Sequence, residues 1–460
     1  MRVDGHEVLT PARVVAASDE PVGAYLHVPF CEWICPFCPY NKVRAEADLA
    51  RRYFVSLRTE VDAYAEAYTA GNRKLHSPAR RPFTSLYVGG GTPTLYPDAL
   101  ADIVGRIPVA GERAIEVLHT HGTPNRLDRL TEIGFTAVSV GAQSFHDAVL
   151  RRLGRPHDAA TSLAAVRNAR ERFGCVDVDL IIDVALDDIR GSRGGWREAF
   201  LADVRTCFAS GVDQVSTYPL MRFGYTPFGK ASHARRREHE VLDAVTDMAL
   251  RMGYERRSVW TFNRSGSPSY TSITRRRFLG MGAGSSSYLG RDFFVNHFGV
   301  ATYCRSVEAG RVPVARWMHL GRWGGAAYYG FWQAYAGAVD VPGLERSYGR
   351  GPAAVAEAVL APLVAGGLVR REHDAYRLTP RGFDAYHDLE RLVTYQLIEP
   401  LWGEMLQEHE RERVSALPLG GEALGNCPLW ATPERARSGV AWSATRLAYE
   451  RKGFVAGPLS

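Results

Sequence analysis

The chain has 460 residues, of which 46% are hydrophobic and 23% are charged, and its formal net charge is +6. This composition provides enough apolar residues for a core and excludes global intrinsic disorder. No apolar run approaches the ~20 residues that a membrane-spanning helix requires. Residues 1–15 lack the apolar centre of a signal peptide. We therefore expect a cytoplasmic protein without a membrane partner.

The basic residues do not form a concentrated patch along the sequence. Only four of the 56 basic residues are lysines, so 52 are arginines, and they are interspersed with 50 acidic residues. Short clusters at 235–237 and 275–277 are more typical of solvated faces than of a groove for nucleic acid. We expect no nucleic-acid partner, although a modest positive field can steer an acidic protein partner.

Short strands alternate with longer helices through the first half of the chain. After an extended leader at 1–20, strands are predicted from residues 24 and 84 onward and at 114–118, 137–140, 178–184 and 215–220. Between them, helices are predicted at 47–68, 97–107, 124–133, 159–173 and 196–210. This alternation predicts βαβ units in a parallel sheet. Six strands are two fewer than a complete barrel has, so we predict an α/β protein with a partial (β/α)6 barrel.

The pattern changes after about residue 230. A helix is predicted at 236–253, a strand at 259–264 and a glycine-rich turn at 280–284. Residues 352–388 follow a helix, hairpin, helix pattern, which is the outline of a winged-helix-like unit. The predicted domains are a barrel at 21–235, an extension that closes the barrel at 236–320, and a mainly α-helical, winged-helix-like domain at 321–460.

Three of the seven cysteines, Cys31, Cys35 and Cys38, fall within eight residues. An odd cysteine count in a chain with cytosolic features argues against a disulfide framework. Three thiolates on a loop after a strand can converge on a soft metal centre, but structural zinc sites and complete iron–sulfur sites take four protein ligands. His27 precedes the loop in a predicted strand and is not expected to be a fourth ligand. The spacing predicts a cluster with one open iron, and an incomplete zinc knuckle is the alternative.

Further motifs accompany the cysteines in a fixed order. They are YLHVPFC at 25–31, GGGTPT at 89–94, SVGAQSFHDAVLRRLGRPH at 139–157, VDLIID at 178–183, TYPL at 217–220 and GMGAGS at 280–285. Together with the C-x3-C-x2-C spacing, these motifs resemble the radical S-adenosylmethionine (SAM) superfamily. Within it, they are similar to the oxygen-independent coproporphyrinogen III oxidase-like (HemN-like) family, and the resemblance covers residues 21–390.

This resemblance implies a cofactor set and a set of binding residues. Cys31, Cys35 and Cys38 are expected to hold a [4Fe–4S] cluster whose open iron binds SAM. Two SAM molecules are expected. The residues expected for the first are Tyr25, Phe37, Gly90, Glu116 and Gly284. The residues expected for the second are Gly91, Thr92, Gln143, Arg155 and Asp179. The resemblance also implies a monomer that takes a small-molecule substrate and an electron donor such as flavodoxin or ferredoxin.

Departures from the family pattern decide which reaction is predicted. Tyr40, His119 and Pro219 stand where the coproporphyrinogen oxidase has Cys, Pro and Ala. The HN-x-x-YW signature of the haem chaperones is not found at 296–304. These departures favour the class C radical SAM methyltransferases and cyclopropanases, which transfer a SAM-derived methylene radical to an sp² carbon of an aromatic or unsaturated natural product.

Two alternatives to methylene transfer stay open. The first is a tetrapyrrole enzyme that performs oxidative decarboxylation or modifies haem. The second is a non-catalytic haem carrier or a DNA-binding winged-helix protein. The final acid or base is not assigned, and Tyr40, His119, Tyr218 and His297 are the candidates. The aromatic segment at 322–335 is expected either to cover a flat conjugated substrate or to pack in the core.

Overall fold

A computed structural model describes residues 9–15, 18, 20–73, 82–182, 195–229, 235–268 and 276–416. The chain divides into two units, Met1–Glu412 and Arg413–Ser460, and the features discussed below lie in the first. Parts of three predictions lie outside the described residues: the start of the leader, the end of the strand at 178–184, and the domain beyond residue 416. The side chains of the arginine cluster at 235–237 and Arg275 also lie outside them.

The elements follow the predicted alternation of strands and helices. The strands are β1 (Gly23–Val28), β2 (Phe30–Cys31), β3 (Val43–Arg44), β4 (Leu86–Gly90), β5 (Arg113–Leu118), β6 (Ala137–Gln143), β7 (Cys175–Ile182), β8 (Gln214–Pro219), β9 (Tyr254–Arg256), β10 (Thr261–Arg264), β11 (Phe278–Met281), β12 (Ser286–Tyr288), β13 (Asp292–Asn296), β14 (Val314–His319), β15 (Ala338–Asp340), β16 (Val369–Glu372) and β17 (Ala375–Leu378).

The helices are α1 (Pro11–Val15), α2 (Ala47–Arg73), α3 (Pro97–Gly105), α4 (Pro124–Ile133), α5 (Asp147–Arg152), α6 (Ala159–Arg170), α7 (Gly195–Ala209), α8 (Arg235–Arg251), α9 (Val300–Glu308), α10 (Gly321–Tyr335), α11 (Val341–Tyr348), α12 (Arg350–Ala365), α13 (Pro380–Val393) and α14 (Glu399–Ala416). Two short 3₁₀ helices lie at Pro93–Leu95 and His119–His121, and a π-helical segment lies at Thr394–Ile398. None of the helices in the described part of the chain is both long and apolar enough to cross a membrane.

Six parallel strands form the centre of the main sheet in the order β1-β4-β5-β6-β7-β8. The predicted partial (β/α)6 barrel is therefore confirmed. The sheet extends beyond β1 through the parallel strand β11 and then the antiparallel strands β12, β13 and β14. Beyond β8 it extends through the antiparallel strands β10 and β9. The extension after residue 236 thus adds strands to both edges of the six.

Side-chain alternation gives the sheet two different faces. Because successive residues of a strand point to opposite faces, Ile115 and Val117 of β5 join the main core under the helices, whereas Ala114 and Glu116 point to the other side. Ala114 belongs to a separate small cluster with Tyr87, Ala137 and Cys175 of the neighbouring strands, and Tyr25 packs against it. This second face is the inner face of the barrel.

The end of the first unit contains a smaller layer of helices and strands. Helices α12 and α13 are joined by the β16–β17 hairpin, and β15 pairs with β17 to complete a three-stranded sheet. The predicted outline of helix, hairpin and helix is thus present. The N-terminal segment differs from its predicted extended form, because α1 is helical and buries Val14 and Val15 against the main core.

Helix α2 provides a matched test of the core. Leu57 is fully buried, whereas Val55, two residues earlier, is 68% exposed. We expect Leu57→Ala to lower the free energy of unfolding by about 2–5 kcal/mol, because it removes buried methyl groups and leaves a cavity. Val55→Ala is expected to change it by less than about 0.5 kcal/mol. Urea unfolding measures both, and equal effects would contradict this assignment of faces.

Candidate functional site

The three clustered cysteines lie on a short loop that is closed at its base by a pair of strands. Cys31 ends β2, which pairs in parallel with β3 through Phe30↔Val43 and Cys31↔Arg44. Within the loop, the Cys38 amide donates a hydrogen bond to the Cys35 carbonyl over 3.2 Å. All three side chains are free thiols, with Cys31 buried and the other two half-buried. The loop therefore presents three thiols that no disulfide occupies.

Neighbouring segments hold this loop in place. Asn41 donates from Nδ2 to the carbonyls of Ala283, at 3.1 Å, and Phe298, at 2.9 Å. Tyr225 donates from its hydroxyl to the Pro39 carbonyl over 3.2 Å. Gly284 has φ +80° and lies against Asn41 so closely that a Cβ atom would not fit. Gly284 therefore contacts the segment that follows the three cysteines. Its predicted role in SAM binding stays a prediction.

The glycines at the end of β4 lie directly against the first cysteine. A Cβ atom on Gly91 would stand 2.6 Å from the Phe30 carbonyl oxygen and 2.9 Å from the Cys31 Sγ. Gly90 adopts φ +120°, where L side chains are strained. Thr92 is buried, and its hydroxyl faces the Cys31 Sγ at 3.8 Å. The backbone thus forms a cradle beside the cysteine loop that only glycine permits.

Polar side chains line the inner face of the barrel on successive strands. Ser139 of β6 donates to Asp179 Oδ2 of β7 over 2.8 Å. Ser216 of β8 donates to both carboxylate oxygens of Asp177, at 3.0 and 2.8 Å. The two carboxylates can accept more hydrogen bonds than these serines donate. An inner face with this composition is a binding site rather than a packed core.

Glu116 is the carboxylate of this face that lies next to the glycine cradle. Tyr87 donates to its Oε1 over 2.6 Å, and the Gly90 amide donates to its Oε2 over 3.1 Å. Burial is the main cause, and the neighbouring Asp179 a smaller one, that together raise the pKa of Glu116 to about 7. Burial also raises the pKa of Asp179, to about 6. Two carboxylates that are costly to ionise favour a cationic ligand in the barrel.

Arg155 connects the cysteine loop to the end of β6. Its Nη1 donates to the Cys35 Sγ over 3.2 Å, and its Nη2 donates to the Gly141 carbonyl over 2.5 Å. Its guanidinium carbon lies 5.7 Å from the centroid of the Phe37 ring. Gln143 follows on the same strand end with φ +68°, at a register shift between β6 and β7. The structure therefore brings Phe37, Gln143 and Arg155, predicted separately from sequence, to one edge of the loop.

The donor set fits an iron–sulfur cluster better than a single metal ion. Among the described residues, no three His, Cys, Asp or Glu side chains are grouped to hold one ion, which disfavours the zinc knuckle. In a cluster, each thiolate binds a different iron, so the sulfurs need not meet at one point. Burial, followed by the nearby Cys38, raises the pKa of Cys31 to about 12, and burial also raises that of Cys38. Thiolates at Cys31 and Cys38 therefore require a nearby positive charge, which the iron of a cluster would supply.

The acid–base candidates from sequence lie at different places. Tyr218 ends β8 and packs edge-to-face on Trp260, with ring centroids 5.9 Å apart. His119 stacks on His157 with ring centroids 3.2 Å apart. His297 is linked through its backbone to the Gly284 turn. Sequence analysis did not single out His157 or Trp260, because their importance comes only from the neighbour that each one contacts.

Comparisons with known proteins find one family model and several relatives that match part of the chain. Residues 25–192 match the model of the Radical SAM superfamily. The chain is 26% identical over 293 residues to the heme chaperone HemW of Bacillus subtilis, covering 59% of this chain and 72% of that protein. It is 27% identical over 325 residues to the anaerobilin synthase of Escherichia coli O157:H7, covering 64% and 69%. It is 26% identical over 339 residues to the oxygen-independent coproporphyrinogen III oxidase of Cereibacter sphaeroides, covering 66% and 70%.

A solved structure confirms the fold. The coproporphyrinogen III oxidase HemN of Escherichia coli superposes with a TM-score of 0.67 at 21% identity, covering 82% of this chain and 92% of that one. The relatives overturn the predicted reaction: a methylene transfer that ends in C-methylation or cyclopropanation is wrong for this chain. Departures at single positions such as Tyr40 and Pro219 gave too little information to set aside a resemblance that extends over most of the chain.

The first prediction from the site concerns the cysteine ligands. Cys35→Ala is expected to abolish the brown charge-transfer absorption that anaerobic reconstitution with iron and sulfide produces, and to abolish SAM cleavage, because a cluster corner loses its ligand. Cys207→Ala is the matched control, since Cys207 is buried in α7, away from the loop. Absorption spectra and iron content measure the outcome, and SAM cleavage by the Cys35→Ala protein would contradict the assignment.

The second prediction uses the raised pKa of Glu116. The folded protein holds this proton up to about pH 7, whereas the unfolded chain releases it near its ordinary value of 4.5, so stability falls between these values as pH rises. Glu116→Gln cannot ionise. We therefore expect its stability relative to the native protein to rise across this window, on the order of 2 kcal/mol, and to level off above it.

Urea unfolding at about pH 5 and about pH 8 measures this difference. Asp102→Asn is the control. The hydrogen bond from Arg106 lowers the pKa of Asp102, so this carboxyl is already ionised below the pH range in which Glu116 titrates. The effect of Asp102→Asn on the free energy of unfolding should therefore be the same at both pH values. If the effect of Glu116→Gln on the free energy of unfolding is also the same at both pH values, Glu116 is not desolvated in the barrel.

The fold, the thiol geometry and the matches agree with one another. The parallel strands form a partial barrel, the cysteine loop lies beside its glycine cradle, and the matched residues 25–192 contain every predicted site residue except Gly284. Residues 25–192 of the chain therefore form a domain that matches the Radical SAM superfamily model, and the cofactors of that family are a [4Fe–4S] cluster and SAM.

Proposed function

We propose that this protein is a radical SAM enzyme that acts on a tetrapyrrole, in an oxidoreductase reaction of the coproporphyrinogen oxidase type. The proposal is supported by relatives named as a heme chaperone, an anaerobilin synthase and a coproporphyrinogen III oxidase. Haem and coproporphyrinogen are tetrapyrroles, although the named activities differ. The likeness to HemN over 82% of this chain supports the same arrangement of barrel and C-terminal helices.

The proposal rests on one observation in the structure: several aromatic rings lie close together where the chain leaves the cysteine loop. Tyr40, two residues after the third cysteine, is 46% exposed, and its ring centroid lies 5.8 Å from that of Trp402 on α14. Trp402 in turn lies 6.2 Å from Phe223, which follows β8, and Phe223 lies edge-on to Tyr395 at 5.6 Å. Phe223 is fully buried behind Trp402, so the partly exposed rings of Tyr40 and Trp402 are the ones that suit the face of a flat conjugated ligand.

Helix α14 brings this aromatic set together. Its residues Leu401, Trp402 and Leu406 pack around Met405, which is buried against Val295 of β13. At its start, Glu399 accepts a hydrogen bond from the Gly224 amide, which lies in the segment after β8. The helix therefore reaches from the β13 side of the sheet to the β8 side, and the cysteine loop meets it at Tyr40.

The aromatic helix α10 serves mainly as packing. Tyr335 is buried and lies edge-to-face with Trp260 at 5.8 Å. Tyr329 is also buried, in the small core around α11 and α12. Of its other aromatic residues, Tyr328, Phe331 and Trp332 are half-buried and Trp323 is exposed, so these four are available to cover a ligand. Of the two expectations for 322–335, core packing accounts for the buried side of the helix.

In this proposal, different residues of the chain bind the cluster and the two ends of SAM. Once bound, a [4Fe–4S] cluster supplies the electron that splits SAM into methionine and a 5′-deoxyadenosyl radical. Cys31, Cys35 and Cys38 hold the cluster. The Gly90–Gly91 cradle lets backbone amides approach the anionic end of SAM, and Glu116 is placed for its cationic groups. Holding these groups in one enclosed place keeps the radical next to its target.

A second SAM site is part of this proposal. The residues predicted for it are Gly91, Thr92, Gln143, Arg155 and Asp179. Gly91 and Thr92 directly follow β4, Gln143 ends β6, Asp179 lies within β7, and Arg155 is on the loop before α6. Arg155 offers a guanidinium for a carboxylate, and Asp179 can accept from ribose hydroxyls.

The test of the proposed function is substrate-dependent SAM cleavage. The cluster-loaded protein is incubated with SAM, dithionite and coproporphyrinogen III, haem or no tetrapyrrole. We expect one tetrapyrrole to raise the rate of 5′-deoxyadenosine formation at least about tenfold and to change in mass, because a fitting substrate intercepts the radical. Equal rates with and without every tetrapyrrole, or haem binding that never affects SAM cleavage, would contradict the proposal.

A pair of variants localises the substrate. Trp402→Ala is expected to weaken tetrapyrrole binding about tenfold while the cluster absorption stays unchanged, since it removes one face of the aromatic set. Leu397→Ala is the matched control, because Leu397 is 63% exposed and lies just before the same helix. Absorbance titration with haem and coproporphyrin III measures both, and equal binding by the two variants would remove Trp402 from the site.

A further inference from the structure

The cysteine loop carries a large aromatic ring that is open to solvent. Trp33 lies two residues from both Cys31 and Cys35, so its Cα atom is within about 7 Å of each of theirs. Its side chain is 49% exposed, although the indole Nε1 donates a hydrogen bond to the Gly154 carbonyl over 3.0 Å. This hydrogen bond holds the ring in its exposed position. The protein surface therefore lies close to two of the predicted cluster ligands.

Gly154 connects this ring to the basic end of α5. Its amide donates a hydrogen bond to the Arg151 carbonyl over 3.1 Å, and Arg152 is the last residue of the helix. Both arginine side chains are exposed, and neither forms an ion pair with another described residue. The nearest acidic residues in the sequence, Asp147 and Asp158, accept hydrogen bonds from backbone amides of α6 instead. Two positive charges next to the ring are thus not neutralised.

A third arginine approaches the loop from the end of β5. Glu32, the neighbour of Trp33, is the one acidic residue in the loop sequence 31–40, and its carboxylate lies 3.6 Å from Nε2 of His121. Burial, followed by the charge of Arg126, lowers the pKa of His121 to about 4, so this imidazole is neutral at pH 7. The exposed Arg126 donates to the Thr94 carbonyl over 3.4 Å and has no carboxylate partner in the described part of the chain. Three arginines therefore stand against one carboxylate around the ring.

This combination of ring and charge determines which ligand fits. Other arginines, such as Arg106, Arg129 and Arg172, pair with carboxylates of this chain. Guanidinium groups without such partners attract an acidic surface. Tryptophan and arginine are also enriched where proteins bind one another, whereas a small anion would leave the indole uncovered. The chemistry therefore selects a protein with an acidic surface.

The position of the ring indicates what this partner does. In the proposed function, each SAM cleavage consumes one electron, which the cluster has to receive from outside the protein. One electron leaves the partner, which is oxidised, and enters the cluster, which is reduced. A partner that covers Trp33 is placed within two residues of the cluster ligands, where the path for the electron is short.

We propose that the exposed face around Trp33 docks an acidic electron-transfer protein that reduces the cluster. This docking face comprises Trp33, Arg126, Arg151 and Arg152. The proposal depends on the cluster chemistry of the proposed function, but not on which tetrapyrrole reacts. Encounters between redox proteins commonly bury less than about 1,200 Å², so a small face with one central ring is sufficient.

The test measures binding of oxidised flavodoxin, a small acidic redox protein, to the cluster-loaded protein by isothermal titration calorimetry. Arg151→Glu combined with Arg152→Glu is expected to weaken binding at least about tenfold, because attraction becomes repulsion. Raising the ionic strength from about 50 mM to about 500 mM is expected to weaken binding to the native protein, and the double variant is expected to lose most of this dependence. Trp33→Ser is expected to weaken binding about tenfold and to retain the salt dependence, since it removes contact area but no charge.

Two controls separate docking from general effects of charge. Arg311→Glu combined with Arg381→Glu is the matched variant, because both arginines are exposed, lie outside the docking face and change the net charge by the same amount. Cytochrome c, a basic redox protein, is expected not to bind. SAM cleavage driven by dithionite is expected to be the same in the native protein and both arginine variants. With reduced flavodoxin, cleavage by the Arg151→Glu, Arg152→Glu protein is expected to fall at least about tenfold.

The docking face is refuted if the native protein does not bind flavodoxin, if the Arg151→Glu, Arg152→Glu protein binds it with native affinity, or if the control pair weakens binding as strongly. Failure of the proposed function gives a different result. Flavodoxin would then bind and drive SAM cleavage, but no tetrapyrrole would change the rate.

Discussion

The central physical constraint in this protein is the accumulation of acidic groups that burial keeps from ionising. Cys31, Cys38, Glu116 and Asp179 all have raised pKa values, and all face the inner side of one barrel or the loop at its edge. Burial of these acidic groups is costly, and cationic ligands that restore their ionised forms would offset that cost. Iron and the sulfonium and ammonium groups of SAM supply that charge, which links stability to cofactor binding.

The sequence predicted much of this arrangement because the signals are local. The alternation in β5 places Glu116 on the inner face, and the spacing of three cysteines within eight residues requires no tertiary information. By contrast, Asn41 anchors the cysteine loop to Ala283, 242 residues away, and Tyr40 meets Trp402 on the last described helix. No periodicity encodes such contacts, so the rim of the site could only be found in the folded structure.

The choice of reaction shows where local reasoning fails. Tyr40, His119 and Pro219 favour a different chemistry when the sequence is considered position by position, yet none of them is among the predicted cluster ligands. Tyr40 and His119 instead lie at the edge of the site, one against α14 and the other behind Arg155. Substitutions at an edge change which ligand is held and how it is oriented. The cysteine spacing and the glycines after β4, by contrast, follow the family pattern, and they are the features that bind the cofactors in the proposed function.

The aromatic rim and the acidic inner face suit two different kinds of ligand. Tyr40 and Trp402 offer aromatic faces, whereas Glu116 and Asp179 are buried carboxylates on the inner face of the barrel. A flat conjugated ring matches the rim, and the cationic groups of SAM match the carboxylates. Under the proposed function, each ligand therefore has a surface whose chemistry corresponds to its own.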